Sequence, residues 1–260
     1  MLVFVIPLKS SQVSKDWDLV SQLFERCLKS VCNQTSDKFR VIVVCHEKPN
    51  IGFSHPHITY IEVDYPSPIQ QLKELGLEQE VDWKWTEVFS RDLDKGRKLL
   101  NGLAYADKFS PSHVMVVDAD DCVSKNIVKF VEQNSNSNGW YIKRGYLYHE
   151  NWQFLKIKFK DFNQICGSSV IIKYELYPLL FNKYHYQHRR TLLDNGIALE
   201  ALPFRGAIYS VGNGENIYQT IERQNTRFKK FGILLKIANL VRYRRLTKSI
   251  CNEFNFNPIV

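Results

Sequence analysis

The sequence predicts an α/β protein with a mainly parallel sheet. Over residues 1–135, short apolar runs rich in β-branched residues alternate four times with segments of helical apolar spacing. Such continuous apolar runs are typical of parallel strands that are covered by helices on both faces. Strand-like runs then follow with less helical pattern between them, which indicates a mixed or antiparallel extension of the sheet. The 260 residues suffice for one large domain.

Each element of the first half follows from its local pattern. Apolar residues at 19, 20, 23, 24, 27, 28 and 31 have helical spacing, and residues 83–108 are mostly helical after an irregular start. The strands are continuous apolar runs, of which the first is closed by Pro7. The predicted strands are 2–6, 39–45, 58–63 and 114–117, and the predicted helices are 16–32, 83–108 and 125–133.

The second half contains shorter elements. Its predicted strands are 140–148, 154–159, 166–172, 197–202 and 207–211, with helices from 175, over 185–195 up to Gly196, and over 225–248. The polar turn NSNSNG at 134–139 separates the halves. We therefore expect a first half over 1–135, a second half of the same domain over 136–222, and a basic amphipathic C-terminal tail over 223–260.

Charge and cysteine content limit the class of protein. The tail over 223–260 holds nine basic side chains and one acid, Glu253, while the remainder carries no net charge. A neutral body argues against nucleic acid as a partner and makes the tail the part that would meet an anionic membrane surface. The six cysteines form no C-x-x-C motif, and no apolar stretch of the sequence is long enough to predict a membrane-spanning helix. A cytoplasmic protein, peripheral on the inner membrane face, is expected.

The stretch HVMVVDADDCVSK, residues 113–125, carries the strongest functional signal. A buried strand ends on Asp118, Asp120 and Asp121, and ligands of open α/β sheets bind at the carboxyl ends of the strands. Two carboxylates two residues apart suit Mg²⁺ or Mn²⁺, which in turn bind phosphate. The chain has three D-x-D patterns, of which only Asp118-Ala119-Asp120 follows a buried strand. The alternative is that Asp120 and Asp121 cap the following helix.

The order of these motifs resembles the nucleotide-sugar-binding half of GT-A glycosyltransferases, close to family 2. VFVIPLKS, SVCNQTSDKFRVIVVC, KGRKLLNGLAYA and VVDADD carry the resemblance, which covers about residues 2–135 well and 136–220 loosely. It implies a GT-A-like fold, Rossmann-like and mainly parallel with a mixed antiparallel extension. It also implies single glycosyl transfer from a nucleotide-sugar donor, UDP-linked by expectation, since the Q-x-x-R-W motif of processive synthases is missing.

The resemblance also implies residue roles. Asp118 would contact the ribose or the metal, and Asp120 would bind the metal. The other expected donor contacts are Pro7, Leu8 and Glu47 around the base and ribose, and Lys95, Arg97 and Lys98 near the diphosphate. For each of these cations the alternative is a solvated helix face.

A base and a further metal ligand are less well defined. Where family 2 proteins often carry Glu-Asp before a helix-ending Gly, this chain has Tyr184-His185. His185 and His188 are the candidate bases because histidine titrates near neutral pH, and Asp194 and Glu150 are alternatives. The segment YSVGNGENIY offers Asn213, Glu215 or Asn216 as a metal ligand, of which Asn216 is the preferred candidate.

The sequence also offers candidate residues for acceptor binding and leaves two alternatives to the glycosyltransferase function. Trp140, Tyr148 and Trp152 are candidates to stack on a glycan or lipid-linked acceptor. A nucleotidyltransferase would share the carboxylate–metal site, but the turn PLKSSQVS lacks the Gly-rich basic loop expected there. The second rival is a non-catalytic carbohydrate- or membrane-binding protein on a degenerate transferase fold.

Overall fold

The computed structural model confirms the α/β class. It describes residues 1–66, 70, 74, 76, 83–181, 192, 195–215 and 242–259, with the backbone alone for 83–89. The strands are β1 Leu2–Pro7, β2 Phe39–Cys45, β3 Ile58–Glu62, β4 His113–Val116, β5 Cys122–Val123, β6 Gly139–Tyr141, β7 Gly145–His149, β8 Phe154–Lys158, β9 Val170–Lys173, β10 Glu200–Ala201, β11 Ala207–Val211 and β12 Tyr243–Arg245. The α-helices are α1 Trp17–Val31, α2 Trp83–Ala106, α3 Ile127–Gln133 and α4 Lys248–Phe254.

The larger sheet has seven strands in the order β10-β6-β9-β4-β1-β2-β3. Strands β4, β1, β2 and β3 are parallel, while β9 runs antiparallel to both β4 and β6. Alternate residues of β1 point to opposite faces. Phe4 and Ile6 belong to a core cluster with side chains of α1 and α3, and Val3 and Val5 belong to another with side chains of α2. Helices therefore cover both faces, as the apolar strand runs predict.

A second sheet of five strands has the order β12-β8-β7-β11-β5. It is the mixed extension, since β11 pairs parallel with β7 and antiparallel with β5. The predicted single strand 140–148 is wrong, because the chain leaves the larger sheet after Tyr141 and enters the second sheet at Gly145. The predicted helix from 175 is a 3₁₀ helix, Tyr174–Leu179.

Only the end of the predicted helix over 225–248 lies within the described residues. Residues 216–241 lie outside the described residues, and Tyr243–Arg245 forms the edge strand β12 instead of helix. The final helix α4 begins at Lys248, with Thr247 as its N-cap. Within the described ranges no helix combines the length and apolar character that crossing a bilayer requires.

Candidate functional site

A cleft of about 200 Å³ opens at the carboxyl ends of β1 and β4. Pro7 and Leu8 line it where β1 ends, and Asp118 to Asp120 line it after β4. These ends adjoin because β1 and β4 are paired parallel neighbours. Val13, Val20 and Leu23 form an apolar wall.

The three acids that follow β4 have different environments, and Asp121 belongs to the core. Its side chain is fully buried. It accepts hydrogen bonds from Ser168 Oγ at 2.6 Å, from Ser210 N at 3.1 Å and from Cys166 Sγ at 3.3 Å. Burial, together with the neighbouring acids, raises the pKa of Asp121 well above its usual range. Asp121 thus fixes the turn after β4 to the second sheet, and it does not line the cleft.

Asp118 and Asp120 face the cleft. Asp118 Oδ1 lies 2.5 Å from Lys95 Nζ, and Asp120 Oδ2 accepts a hydrogen bond from Asn213 Nδ2 at 2.9 Å. Burial and the charge of Asp118 raise the pKa of Asp120. Burial lowers the pKa of Lys95, but Asp118, Asp92 and Asp121 together raise it, and the net shift is upward. A Cβ at Gly167 would lie 2.5 Å from Asp118 Oδ2, so any larger residue at this position would displace the carboxylate.

This pair of acids fits a divalent cation. Burial, and after it the charge of Asp118, raises the pKa of Asp120, and a bound cation would offset both effects. Within the described residues no three His, Cys, Asp or Glu side chains form a metal-holding group. Mg²⁺ commonly binds through one or two carboxylates and completes its shell with water and substrate phosphate. Asp118 and Asp120 would hold such an ion, and the candidate ligand Asn216 lies outside the described residues.

Glu215 closes one side of the cleft. Its side chain is ion-paired with Lys9, and its Oε1 accepts hydrogen bonds from the backbone N–H groups of Lys15 and Asp16, both at 3.0 Å. Its own N–H donates to Asn213 Oδ1 at 2.9 Å, so the same asparagine contacts both Glu215 and Asp120. Glu215, one of the ligand alternatives from the sequence, therefore fastens the loop after β11 to the start of α1.

Lys98 does not have the role that the sequence predicts. It lines the cleft but is 1% exposed, and its ammonium donates to Leu8 O at 2.7 Å and to Asp94 Oδ2 at 2.8 Å. An ammonium held in this way is not available to a diphosphate, so Lys98 is a positioning group for Asp94. Sequence reasoning passed over Asp94, although the Asp94–Lys98 spacing of four on a predicted helix was the available signal.

Two further predicted donor contacts lie away from the cleft. Glu47 is not among the lining residues and accepts a hydrogen bond from the backbone N–H of Ser11. Arg97 packs over the ring of Tyr65, 5.9 Å from its centroid. Neither side chain lines the cleft in the structure. A position on the right element does not fix the direction in which a long side chain points.

The base candidates His185, His188 and Asp194 lie outside the described residues. Their alternative, Glu150, is buried and bound by both terminal nitrogens of Arg26, at 2.6 and 3.1 Å. A carboxylate fixed in this way cannot approach a substrate, so Glu150 is excluded as the base.

Only one of the three candidate acceptor-stacking aromatics is accessible. Trp140 and Tyr148 are core side chains, whereas Trp152 is 47% exposed and stacks on His149, with ring centroids 5.0 Å apart.

Comparison with known proteins adds no family assignment. No protein-family model matches the chain, and the curated proteins include no significant match. Among solved structures, S. aureus TarS in complex with UDP-GlcNAc is similar at 12% identity and a TM-score of 0.48, over 84% of this chain and 61% of that one. HddC from Yersinia pseudotuberculosis is similar at 13% identity and a TM-score of 0.38, over 81% of this chain and 90% of that one. A Francisella tularensis 2-C-methyl-D-erythritol 4-phosphate cytidylyltransferase is similar at 12% identity and a TM-score of 0.34, over 88% of this chain and 99% of that one. At these values the similarities support no conclusion about activity, and the chain matches only 36% of the length of a longer TarS structure.

Proposed function

We propose that the protein is a glycosyltransferase that moves a single sugar from a nucleotide-sugar donor, UDP-linked, to an acceptor hydroxyl with Mg²⁺ or Mn²⁺. One observation supports this most strongly. The carboxylates of Asp118 and Asp120 and the cations of Lys9 and Lys95 line one cleft at the carboxyl ends of two parallel strands. Such a mixed set of charges suits a metal–diphosphate group better than it suits either a bare cation or a bare anion.

In this proposal some side chains bind the metal ion, and others stabilise the charge that develops on the leaving diphosphate. When bound, the metal neutralises charge that develops on the leaving diphosphate. Asp118 and Asp120 would hold the ion, and Lys95, which lies beside Asp118, would add positive charge where the leaving group forms. The apolar wall of Val13, Val20 and Leu23 limits access of water. We assign deprotonation of the acceptor to His185, His188 or Asp194. A glycan or lipid-linked acceptor would approach from the side of the second sheet.

The decisive experiment measures thermal stabilisation by nucleoside diphosphates with and without Mn²⁺. We expect UDP and Mn²⁺ together to raise the melting temperature, and Asp120→Ala to abolish the metal-dependent part. Asp92→Ala is the matched control, because Asp92 also lines the cleft but has no assigned role at the metal. Equal metal-dependent stabilisation of Asp120→Ala and wild type would contradict the assignment.

The products separate the proposed function from its rivals. A glycosyltransferase hydrolyses or transfers from a UDP-sugar and releases UDP. A nucleotidyltransferase would instead consume a nucleoside triphosphate and a sugar phosphate and release pyrophosphate. Binding of UDP-sugar without turnover, over a full panel of acceptors, would favour the non-catalytic rival.

A further inference from the structure

One face of the second sheet leads out of the cleft. Residues that pair directly across a sheet share a face. Tyr209 of β11 lines the cleft and pairs with Leu147 of β7. Leu147 pairs in turn with Lys156 of β8, and Lys156 pairs with Tyr243 of β12. This row defines the cleft-side face of the sheet. Because neighbouring strands lie about 4.8 Å apart, the row crosses roughly 14 Å, a length that suits a chain of sugars better than a single sugar.

An exposed aromatic ring is fixed on the cleft-side face. Trp152 is 47% exposed, and its ring stacks on His149 and lies 6.3 Å from the ring of Tyr243, measured between centroids. A Cβ at Gly212 would overlap the imidazole of His149, so this imidazole lies directly against the loop that follows β11. The indole is therefore supported from one side. A flat apolar ring of this kind suits the C–H groups on one face of a sugar ring.

The two outer strands of this sheet carry only positive charge. The sequences of β8 (FLKIK) and β12 (YRR) contain four basic residues and no acid. On the cleft-side face the exposed Arg245 pairs with Phe154, which is 47% exposed. Burial, and after it the charges of Lys158 and Arg242, lowers the pKa of Lys156. Negative charge on a bound ligand would offset this accumulation of positive charge.

We propose that the cleft-side face binds an acidic oligosaccharide, one that carries carboxylate or phosphate groups, as the acceptor of transfer. The inference rests on the proposed glycosyltransferase function and names the class of its acceptor. The aromatic ring of Trp152 stacks on a sugar, and Arg245 pairs with an acidic group. A lipid surface would also be anionic. However, an acceptor hydroxyl must reach Asp118 and Asp120, and the row from Tyr243 to Tyr209 leads into their cleft, whereas membrane binding needs no such continuity.

The first test compares acidic and neutral oligosaccharides of equal length on the wild-type protein. Calorimetric titration with UDP and Mn²⁺ present pairs tetragalacturonate with its methyl ester, and a maltotetraose phosphate with maltotetraose. We expect at least one acidic compound to bind at least about tenfold more tightly than its neutral counterpart, the effect of a hydrogen bond to a charged group. Equal binding within both pairs, or binding of none of the four compounds, would overturn the proposal.

The second test removes the aromatic ring. We expect Trp152→Ala to weaken binding of the acidic oligosaccharide by about fivefold or more, because the sugar loses its stacking partner. Phe159→Ala is the matched control. Phe159 is 50% exposed, and its neighbour Arg205 also packs over Tyr146, which belongs to the core cluster on the opposite face. The control should bind like the wild type. Equal binding by both variants would exclude Trp152 from the site and contradict the proposal.

The third test removes one positive charge from either face of the same strand. Arg245 lies on the cleft-side face, whereas Arg244 pairs with the core residue Leu155 on the opposite face. We expect Arg245→Met to weaken binding of the acidic oligosaccharide by about fivefold or more and to leave binding of the neutral one unchanged. Arg244→Met, with the same change in net charge, should have little effect. Equal losses in the two variants would show a general attraction of charge and would contradict a defined site.

Two further probes distinguish a glycan from other anions. Tetraglutamate with blocked termini carries as many carboxylates as tetragalacturonate but no sugar ring, so its binding should be weaker and insensitive to Trp152→Ala. Equal binding of the two compounds would overturn the sugar-specific part of the proposal. Vesicles of phosphatidylglycerol and phosphatidylcholine test the other anionic partner. Vesicle binding that Trp152→Ala abolishes, without binding of any acidic oligosaccharide, would assign this face to a membrane and overturn the proposal.

Melting temperatures separate this inference from the function on which it rests. All four variants should retain the stabilisation by UDP and Mn²⁺, because none of the replaced side chains lines the cleft. A wild-type protein that UDP and Mn²⁺ do not stabilise overturns the transferase, whether or not a glycan binds. Stabilisation by UDP and Mn²⁺ without any preference for acidic oligosaccharides overturns this inference alone.

Discussion

The three acids that follow β4 serve different purposes, and their neighbours decide which. Asp121 accepts three hydrogen bonds in the core, while Asp118 and Asp120 face the cleft. The sequence predicts an acidic strand end, because a buried strand runs directly into the carboxylates. It does not predict which acid turns inward, since Ser168 and Ser210 are contributed by segments that lie far away along the chain.

Replacement of Asp121 tests this division at single residues. Asp121→Ala leaves Ser168 Oγ and Ser210 N buried without their acceptor, and we expect a loss of about 2–4 kcal/mol in the free energy of unfolding. Asp120→Ala removes a carboxylate that its neighbour repels, and should cost less than about 1 kcal/mol. Urea denaturation measures both. A loss for Asp120→Ala as large as that for Asp121→Ala would show that both acids are structural.

At the scale of elements, the strands of the parallel sheet are predictable because each is a continuous apolar run. The predicted bounds of the strand Phe39–Cys45 are confirmed at both ends, and the predicted bounds of β1 and β3 agree with the observed ones within one residue. The elements that sequence reasoning missed are set by distant partners. Cys122–Val123 is too short to carry a pattern and is a strand through its pairing with β11, and Tyr243–Arg245 is a strand through its pairing with β8.

A buried ion pair joins α1 to the second sheet. Arg26 is 5% exposed, binds Glu150 through two nitrogens, and donates to Ser210 Oγ at 2.9 Å. Arg26→Met leaves Glu150 buried and unpaired, so we expect a loss of about 3–5 kcal/mol in the free energy of unfolding. Lys29→Met is the matched control on the same helix, because the side chains of the Lys29–Glu25 pair are 44% and 23% exposed, and this partly solvated pair should contribute less than about 0.5 kcal/mol.

The double variant Arg26→Met with Glu150→Leu refines this prediction. Removal of both charges leaves no uncompensated ion, so most of the stability lost in Arg26→Met should return. Guanidinium denaturation of the three variants measures this. Similar stability of Arg26→Met and Lys29→Met would show that the pair does not fix α1 to the sheet.

On the scale of the whole molecule, the C-terminal segment over 242–259 packs against the second sheet, although the charge of the sequence predicts a separate tail. Phe254 and Phe256 are fully buried in a cluster with Tyr146 and Tyr148. Glu253 O accepts from Lys125 N at 3.0 Å, directly after the acidic turn and β5. The excess of basic residues does not predict this packing. Burial of the two aromatic side chains, rather than the surrounding charge, determines where the segment lies.

Phe254→Ala tests whether the C-terminal segment holds the domain together. The side chain is fully buried and meets Tyr146 edge-to-face, with ring centroids 5.8 Å apart. Its truncation leaves a cavity in the second sheet's core, so we expect a loss of about 3–5 kcal/mol in the free energy of unfolding. Phe154→Ala makes the same chemical change at a position that is 47% exposed, and should cost less than about 1 kcal/mol. Chemical denaturation of both variants compares them directly. If Phe254→Ala proved as mild as Phe154→Ala, the segment would be peripheral to the fold, and the acidic turn of the cleft would not depend on it.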